Sequence, residues 1–195
     1  MLISNIAIVL IAQGACGLGG DRLTFRVKVS DFRRQTNSFV KNKRADDFVE
    51  IALPGKLFNP AHPVKLISRS QADWSTTEKA AASSVSANTA GDVSWIVECF
   101  APAEREAVAK RLSDPAAAQR ARDYFRNLGK ISITGWTEVR GFTVLFLQGL
   151  EDDGDATLIT IALSKTPVGW KQTDALANDD TFDLVWTALH TAGVH

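Results

Sequence analysis

The chain has 195 residues and a formal net charge of zero. This length suits one large domain, or one domain with a smaller lobe. Lysine and arginine are balanced by aspartate and glutamate, so no basic surplus is present to neutralise phosphates, and no nucleic-acid partner is predicted.

Residues 2–12 are apolar apart from Ser4 and Asn5. The stretch is about half as long as a bilayer span requires, so a transmembrane helix is not expected. It fits the hydrophobic core of a secretion signal followed by the small residues Gly14 and Ala15, although the usual preceding basic residue is missing. The sequence therefore predicts export to the periplasm or the cell envelope, with a buried N-terminal strand as the alternative.

Cys16 directly follows these small residues and resembles the lipidated cysteine of a bacterial lipoprotein, although Gln13 replaces the usual aliphatic residue. Two alternatives stay open, lipidation at Cys16 as the only membrane attachment, or plain secretion. Residues 17–20 suit a flexible tether in either case, which makes residues 1–20 a signal and tether segment. Cys99 could pair with an unlipidated Cys16, but a buried apolar role is favoured.

The segment 21–74 is predicted to form a small β-rich N-terminal lobe. Residues 23–29 alternate apolar and polar side chains, as a strand with one buried face does. Residues 48–53 form a second predicted strand that ends at Pro54-Gly55. Residues 64–67 form a third, after a proline-containing segment that disfavours a helix.

A basic stretch at residues 31–44 lies within this lobe. Such a cluster suits phosphate or an anionic lipid surface. The simpler interpretation is a solvated face that is balanced by Asp46, Asp47 and Glu50.

The middle of the chain is predicted to be helical. Ser75 and Glu78 have the spacing of a capping box, and Gly91 and Gly129 suit helix ends. Tyr124 belongs to the predicted buried stripe of the last of these helices, with Ala117, Ala121, Phe125 and Leu128, whereas Arg126 faces solvent. The four predicted helices cover about residues 75–88, 92–101, 104–112 and 115–128.

Strands dominate the next part of the chain, and short turns between them predict antiparallel pairing. The predicted strands cover residues 131–138, 142–150, 157–163 and 170–176. Residues 142–147 are apolar on both faces, so both faces must be covered. The preceding helices suit one face, and the N-terminal segment, a last helix beginning at residues 178–180 or a second subunit suits the other. A homodimer therefore stays open.

This order of elements resembles the nuclear transport factor 2-like superfamily, including its uncharacterised secreted bacterial proteins. The resemblance is carried by three short stretches, Trp95-Ile-Val-Glu-Cys-Phe100, Ile133-Thr-Gly-Trp136 and Gly169-Trp-Lys-Gln-Thr-Asp174. It implies an α+β fold in which helices pack on a curved antiparallel sheet to form a cone over residues 75–195. It also implies a pocket between helices and sheet. Relatives include isomerases, dehydratases and noncatalytic binding modules, so the fold does not decide activity.

Aromatic and acidic side chains on several elements are the candidates for lining such a pocket. Trp136 and Glu138 share a strand face, which could form an aromatic wall beside a carboxylate. Core packing is the simpler interpretation for the tryptophans, and an exposed strand end for Glu138. The pocket candidates are Trp95, Tyr124, Trp136, Glu138 and Trp170.

Chemical motifs give no indication of a catalytic centre. The sequence has no Ser-His-Asp set, no glycine-rich phosphate loop and no metal-ligand spacing, so no catalytic residue, metal or cofactor is predicted. The predicted function is an exported noncatalytic module that binds a small apolar ligand or a partner protein. The alternative is a small isomerase- or dehydratase-like enzyme that uses an acid–base residue in the pocket.

Overall fold

The computed structural model of the protein describes residues 21–150, 154–191 and 194. The predicted signal and tether segment, with the lipidation candidate Cys16, lies outside the described residues. The acidic residues 151–153 also lie outside them. Within the described part the chain is α+β, with an antiparallel sheet of six strands and five α-helices. The strands are β1 (Arg22–Lys28), β2 (Phe48–Pro63), β3 (Lys130–Val139), β4 (Phe142–Leu150), β5 (Ala156–Thr166) and β6 (Gly169–Gln172). The helices are α1 (Thr77–Ala90), α2 (Val93–Cys99), α3 (Arg105–Leu112), α4 (Pro115–Asn127) and α5 (Asp180–His190).

The strands follow one another in the sheet in the order in which they occur in the chain. The predicted antiparallel pairing is confirmed for every neighbouring pair. The turn between β3 and β4 contains only Arg140 and Gly141, whose φ angles are 53° and 82°. Two consecutive positive φ angles give the backbone twist that a two-residue hairpin needs.

Strand β2 differs from its prediction, because it does not end at Pro54-Gly55. Its first half pairs with β1, and from Gly55 onwards it pairs with β3. Pro54 thus stands where β2 changes neighbours, a place where a missing backbone N–H is tolerated. The predicted strand at residues 64–67 is wrong, because these residues are irregular. The strands of the N-terminal segment are continuous with the later sheet.

The prediction that both faces of β4 are covered is confirmed. Leu145 and Leu147 lie in a core cluster with residues of α1, and Val144 and Phe146 lie in another with residues of β1 and α5. These four side chains are at most 1% exposed. The same chain therefore covers both faces, and this strand gives no reason to expect a second subunit.

Polar side chains fix the helix ends. Asp92 and Asp114 cap α2 and α4, and Gly91 ends α1 with a φ of 69°, as predicted. The capping box at Ser75 is wrong. The backbone N–H of Ser75 donates to the Asp73 carboxylate, so Thr76 becomes the capping residue of α1.

The last predicted strand, residues 170–176, is shorter than expected. Strand β6 ends at Gln172, because Thr173 and Asp174 turn away to donate hydrogen bonds to the Glu104 carboxylate at 2.8 and 3.0 Å.

Candidate functional site

The structure places the predicted pocket residues in three different surroundings. Trp136 and Trp170 both pack against the core cluster between α1 and the sheet. Trp95 is buried in another cluster with residues of α2 and α3. The three tryptophans therefore do not share one pocket wall.

Trp136 lies on the same side of the sheet as Ile131 and Ile133. Strict alternation along the strand would place Trp136 on the face opposite to the two isoleucines. The pairing of β3 with β4 shifts its register between Ile133 and Gly135. A bulge inserts one residue, so side chains beyond it change faces.

Two of the predicted pocket residues, Tyr124 and Glu138, carry groups that could act as an acid or base, and both are exposed. Tyr124 is 45% exposed, so its predicted place in a buried stripe of α4 is wrong. Helix α4 contains no buried residue. Of the predicted buried stripe only Leu128, directly after the end of the helix, is buried. Glu138 is also exposed, near the end of β3. Neither side chain is therefore enclosed in the apolar surroundings that an acid–base catalyst needs.

A groove of about 360 Å³ opens between the helices and the sheet. We call it the helix–sheet groove. Its apolar residues Val64, Phe125 and Ile131 belong to or pack against the core cluster under α1. Its lining includes Val64, Leu66, Phe125, Arg126, Lys130 and Ile131.

A tight connection between α4 and β3 builds one end of this groove. Only Leu128 and Gly129 separate the two elements, and Gly129 has a φ of 55°. A side chain at Gly129 would also collide with the carbonyl oxygen of Leu150. The turn therefore requires glycine, and it brings Arg126 and Lys130 to the same groove.

Arg126 also joins two helices at this end of the groove. Its Nε donates to the carbonyl oxygen of Thr89 in the last turn of α1 at 3.2 Å. A cation at the C-terminal end of a helix is favoured by the helix dipole. Within the described residues neither Arg126 nor Lys130 forms an ion pair.

A second groove, of about 280 Å³, lies beside the last helix. We call it the C-terminal-helix groove, and its lining includes Arg33, Thr160, Gln172, Asp174, Phe182 and Trp186. Its charged groups already have partners in the chain. Arg33 donates to Asp183 at 3.1 Å, and Asp174 accepts from Arg111 at 2.8 Å.

The basic stretch at 31–44 is partly explained by the same helix. Arg34 pairs with Asp180 at 2.8 Å, and Asn37 donates to the buried Asp183 at 2.9 Å. The expected balance by Asp46, Asp47 and Glu50 is therefore wrong for Arg33 and Arg34, because the loop folds onto α5 instead. These two arginines therefore have a structural role, because they bind acidic residues of α5.

A third cluster surrounds Lys171, whose side chain is buried although β6 is an edge strand. Its Nζ donates to the carbonyl oxygen of Glu98 at 3.0 Å and lies 3.2 Å from the centre of the Trp74 ring. Burial lowers the pKa of Lys171 to about 8 and raises the pKa of the nearby Cys99 thiol to about 12. Neither of the two grooves includes these residues, so we assign the cluster to the core. The buried, free Cys99 agrees with its predicted apolar role.

Neither a metal cluster nor a membrane-spanning helix is found where the chain is described. No three His, Cys, Asp or Glu side chains are grouped to hold a metal ion in residues 21–150 and 154–191. No helix in that part combines the length and apolarity needed to cross a bilayer.

Comparison of the chain with protein-family models, curated proteins and solved structures gave no significant match.

Proposed function

We propose that the protein is an exported, noncatalytic module that binds a small apolar ligand in the helix–sheet groove. The observation that carries the proposal is the groove itself, which lies between α4 and the sheet and has apolar walls. Its volume of about 360 Å³ is within the range of small-molecule sites, which begins at roughly 300 Å³.

The position of the groove agrees with the cone-like arrangement that the nuclear transport factor 2-like resemblance implies. In such a cone a pocket opens between helices and a curved sheet, and the groove is bounded by both. Export depends on the sequence of residues 1–20, and lipidation at Cys16 would attach the module to a membrane. The N-terminal β-rich segment and the cone would form one exported unit.

The isomerase- or dehydratase-like alternative has less support. It needs an acid or base inside the ligand site, within hydrogen-bond reach of the ligand. Neither Tyr124 nor Glu138 lines either of the two grooves. Binding without catalysis is therefore the function that the geometry favours.

Binding of 1-decanol, a neutral single-chain probe, to the full chain tests the proposal by calorimetric titration. Leu66 lines the groove and is 60% exposed, so L66E should weaken binding about tenfold by placing a carboxylate in an apolar wall, with little effect on folding. Val168 is 61% exposed and lies outside both grooves, so V168E is the matched control and should bind as the wild type does. Absence of decanol binding, or equal binding by L66E and V168E, would contradict the proposal.

A further inference from the structure

The charges around the helix–sheet groove carry a more specific conclusion about its ligand. The groove has two cationic residues, Arg126 and Lys130, and none of its lining residues is acidic. Its other side chains are mostly apolar, including Phe125 and Ile131. One side of the groove thus attracts negative charge, and the rest favours hydrocarbon.

Arg126 differs from the ion-paired arginines of the described chain. Arg33, Arg34, Arg69, Arg111 and Arg140 each lie within 3.3 Å of a carboxylate oxygen. Arg126 uses only its Nε, on the carbonyl oxygen of Thr89, and no hydrogen bond within the described residues uses its terminal amino groups. A carboxylate or phosphate is the natural partner of a guanidinium that presents such donors.

The connection between α4 and β3 fixes this arrangement. Arg126 lies in the last turn of α4, and Lys130 is the first residue of β3. Gly129 between them has the positive φ that the reversal needs. Both cations therefore stand on defined secondary structure and belong to the lining of one groove.

We infer that the ligand of the helix–sheet groove is a free single-chain amphiphile with an anionic head, such as a fatty carboxylate, whose head group lies at Arg126 and Lys130. This inference rests on the proposed function, because it names the ligand class of the same groove. The small volume favours one hydrocarbon chain over a two-chain lipid. The carboxylate lies at the two cations, and the chain lies along Val64, Phe125 and Ile131.

The test compares decanoate with 1-decanol, which have the same carbon count but different charge at neutral pH. The wild type should bind decanoate about tenfold more tightly than decanol, as expected for a charge-assisted contact at an exposed site. In R126Q/K130Q this preference should disappear, so that decanoate binds no more tightly than decanol does. Because both cations are exposed, added salt should reduce the preference in the wild type.

Two controls separate the groove from overall charge. K41Q/K43Q removes the same charge from the exposed basic stretch and should keep the preference for decanoate. E151Q/D152N/D153N removes negative charge from the acidic residues 151–153, so decanoate should bind equally or more tightly. Weaker binding by this last variant would contradict attraction of the anion by Arg126 and Lys130.

The outcomes distinguish the two proposals. If neither probe binds, the proposed function itself fails. If decanoate and decanol bind equally, the groove is a ligand site but the anionic head is wrong. The inference would also be overturned if R126Q/K130Q kept the preference for decanoate. Binding to anionic vesicles without binding to monomeric decanoate would overturn it as well.

Discussion

Both faces of the sheet are covered by apolar packing, but the charged groups beside the two faces differ. On the α5 face, the side chain of Asp183 is only 1% exposed, and it is bound by Arg33 and Asn37 from the loop after β1. On the opposite face, α1 packs through small residues such as Ala80 and Ala81. Charges on the α5 face are bound within the fold, whereas the two cations on the other face stand beside an open groove.

This difference separates structural from ligand-binding roles. A buried charge needs its partners in the chain, because an uncompensated charge in the interior destabilises the folded state. A cation at the edge of a groove is solvated and needs no such partner. Removing charges from the α5 face should therefore lower stability. Removing Arg126 and Lys130 should instead weaken binding of an anion, with little effect on stability.

The largest effect is expected for D183A. It leaves Arg33 and Asn37 without their buried acceptor, and it should lower the free energy of unfolding by about 3 kcal/mol. Asp46 forms an ion pair with Lys28 in which its side chain is 89% exposed, so D46A should destabilise the protein far less than D183A does. Urea unfolding of both variants measures the difference, and equal losses would show that α5 does not depend on its buried carboxylate.

The next largest effect is expected for G129A, at the turn that builds the helix–sheet groove. A positive φ and a collision with the Leu150 carbonyl group should together lower the free energy of unfolding by about 2 kcal/mol. Gly141 has a positive φ but open space around it, so G141A should cost about 1 kcal/mol. If G141A were the more harmful substitution, the close approach at Gly129 would have no energetic importance.

A smaller effect is expected from the pH dependence of Lys171. Its folded pKa of about 8 is below the ordinary value of 10.5, so between these values the unfolded chain binds more protons. Stability should therefore rise with pH, by about 1 kcal/mol between pH 8 and 9. Above pH 9 the Cys99 thiol, whose folded pKa is raised to about 12, opposes this rise, since the unfolded thiol ionises first.

The variant K171M isolates this contribution. Methionine fills a similar volume without a charge, so the difference in unfolding free energy between wild type and K171M should change by about 1 kcal/mol between pH 8 and 9. Denaturant unfolding at several pH values measures it. Parallel stability curves for the two proteins would show that Lys171 is not desolvated in the folded state.

The sheet was largely predictable because its signals are local. Strand β4 has the predicted bounds, since Gly141 precedes it and a run of acidic residues follows it in the sequence. Its two apolar faces also predicted covering layers on both sides. The sequence did not indicate that β2 changes neighbours at Pro54, because a proline and a glycine there are equally typical of a strand end.

The charged contacts could not be predicted, because they join residues distant in sequence. Arg33 and Asp183 are 150 positions apart, whereas the sequence pattern indicates only nearby acids as partners of the basic stretch. Lys171 lies in a short edge strand, where a lysine is usually solvated. The sequence predicts that Arg126 faces solvent, and only the folded structure places it with Lys130 in the lining of one groove.

The smallest effect on stability is expected when the two groove cations are neutralised, and it decides the comparison between the faces. R126Q/K130Q breaks no ion pair within the described residues, so the free energy of unfolding should fall by less than about 0.5 kcal/mol. R33Q/R34Q removes the same charge from the α5 face and should cost about 2 kcal/mol, because it leaves the Asp183 carboxylate buried without its cations. Equal losses in urea unfolding would give Arg126 and Lys130 a structural role and would remove the reason to place an anionic head group beside them.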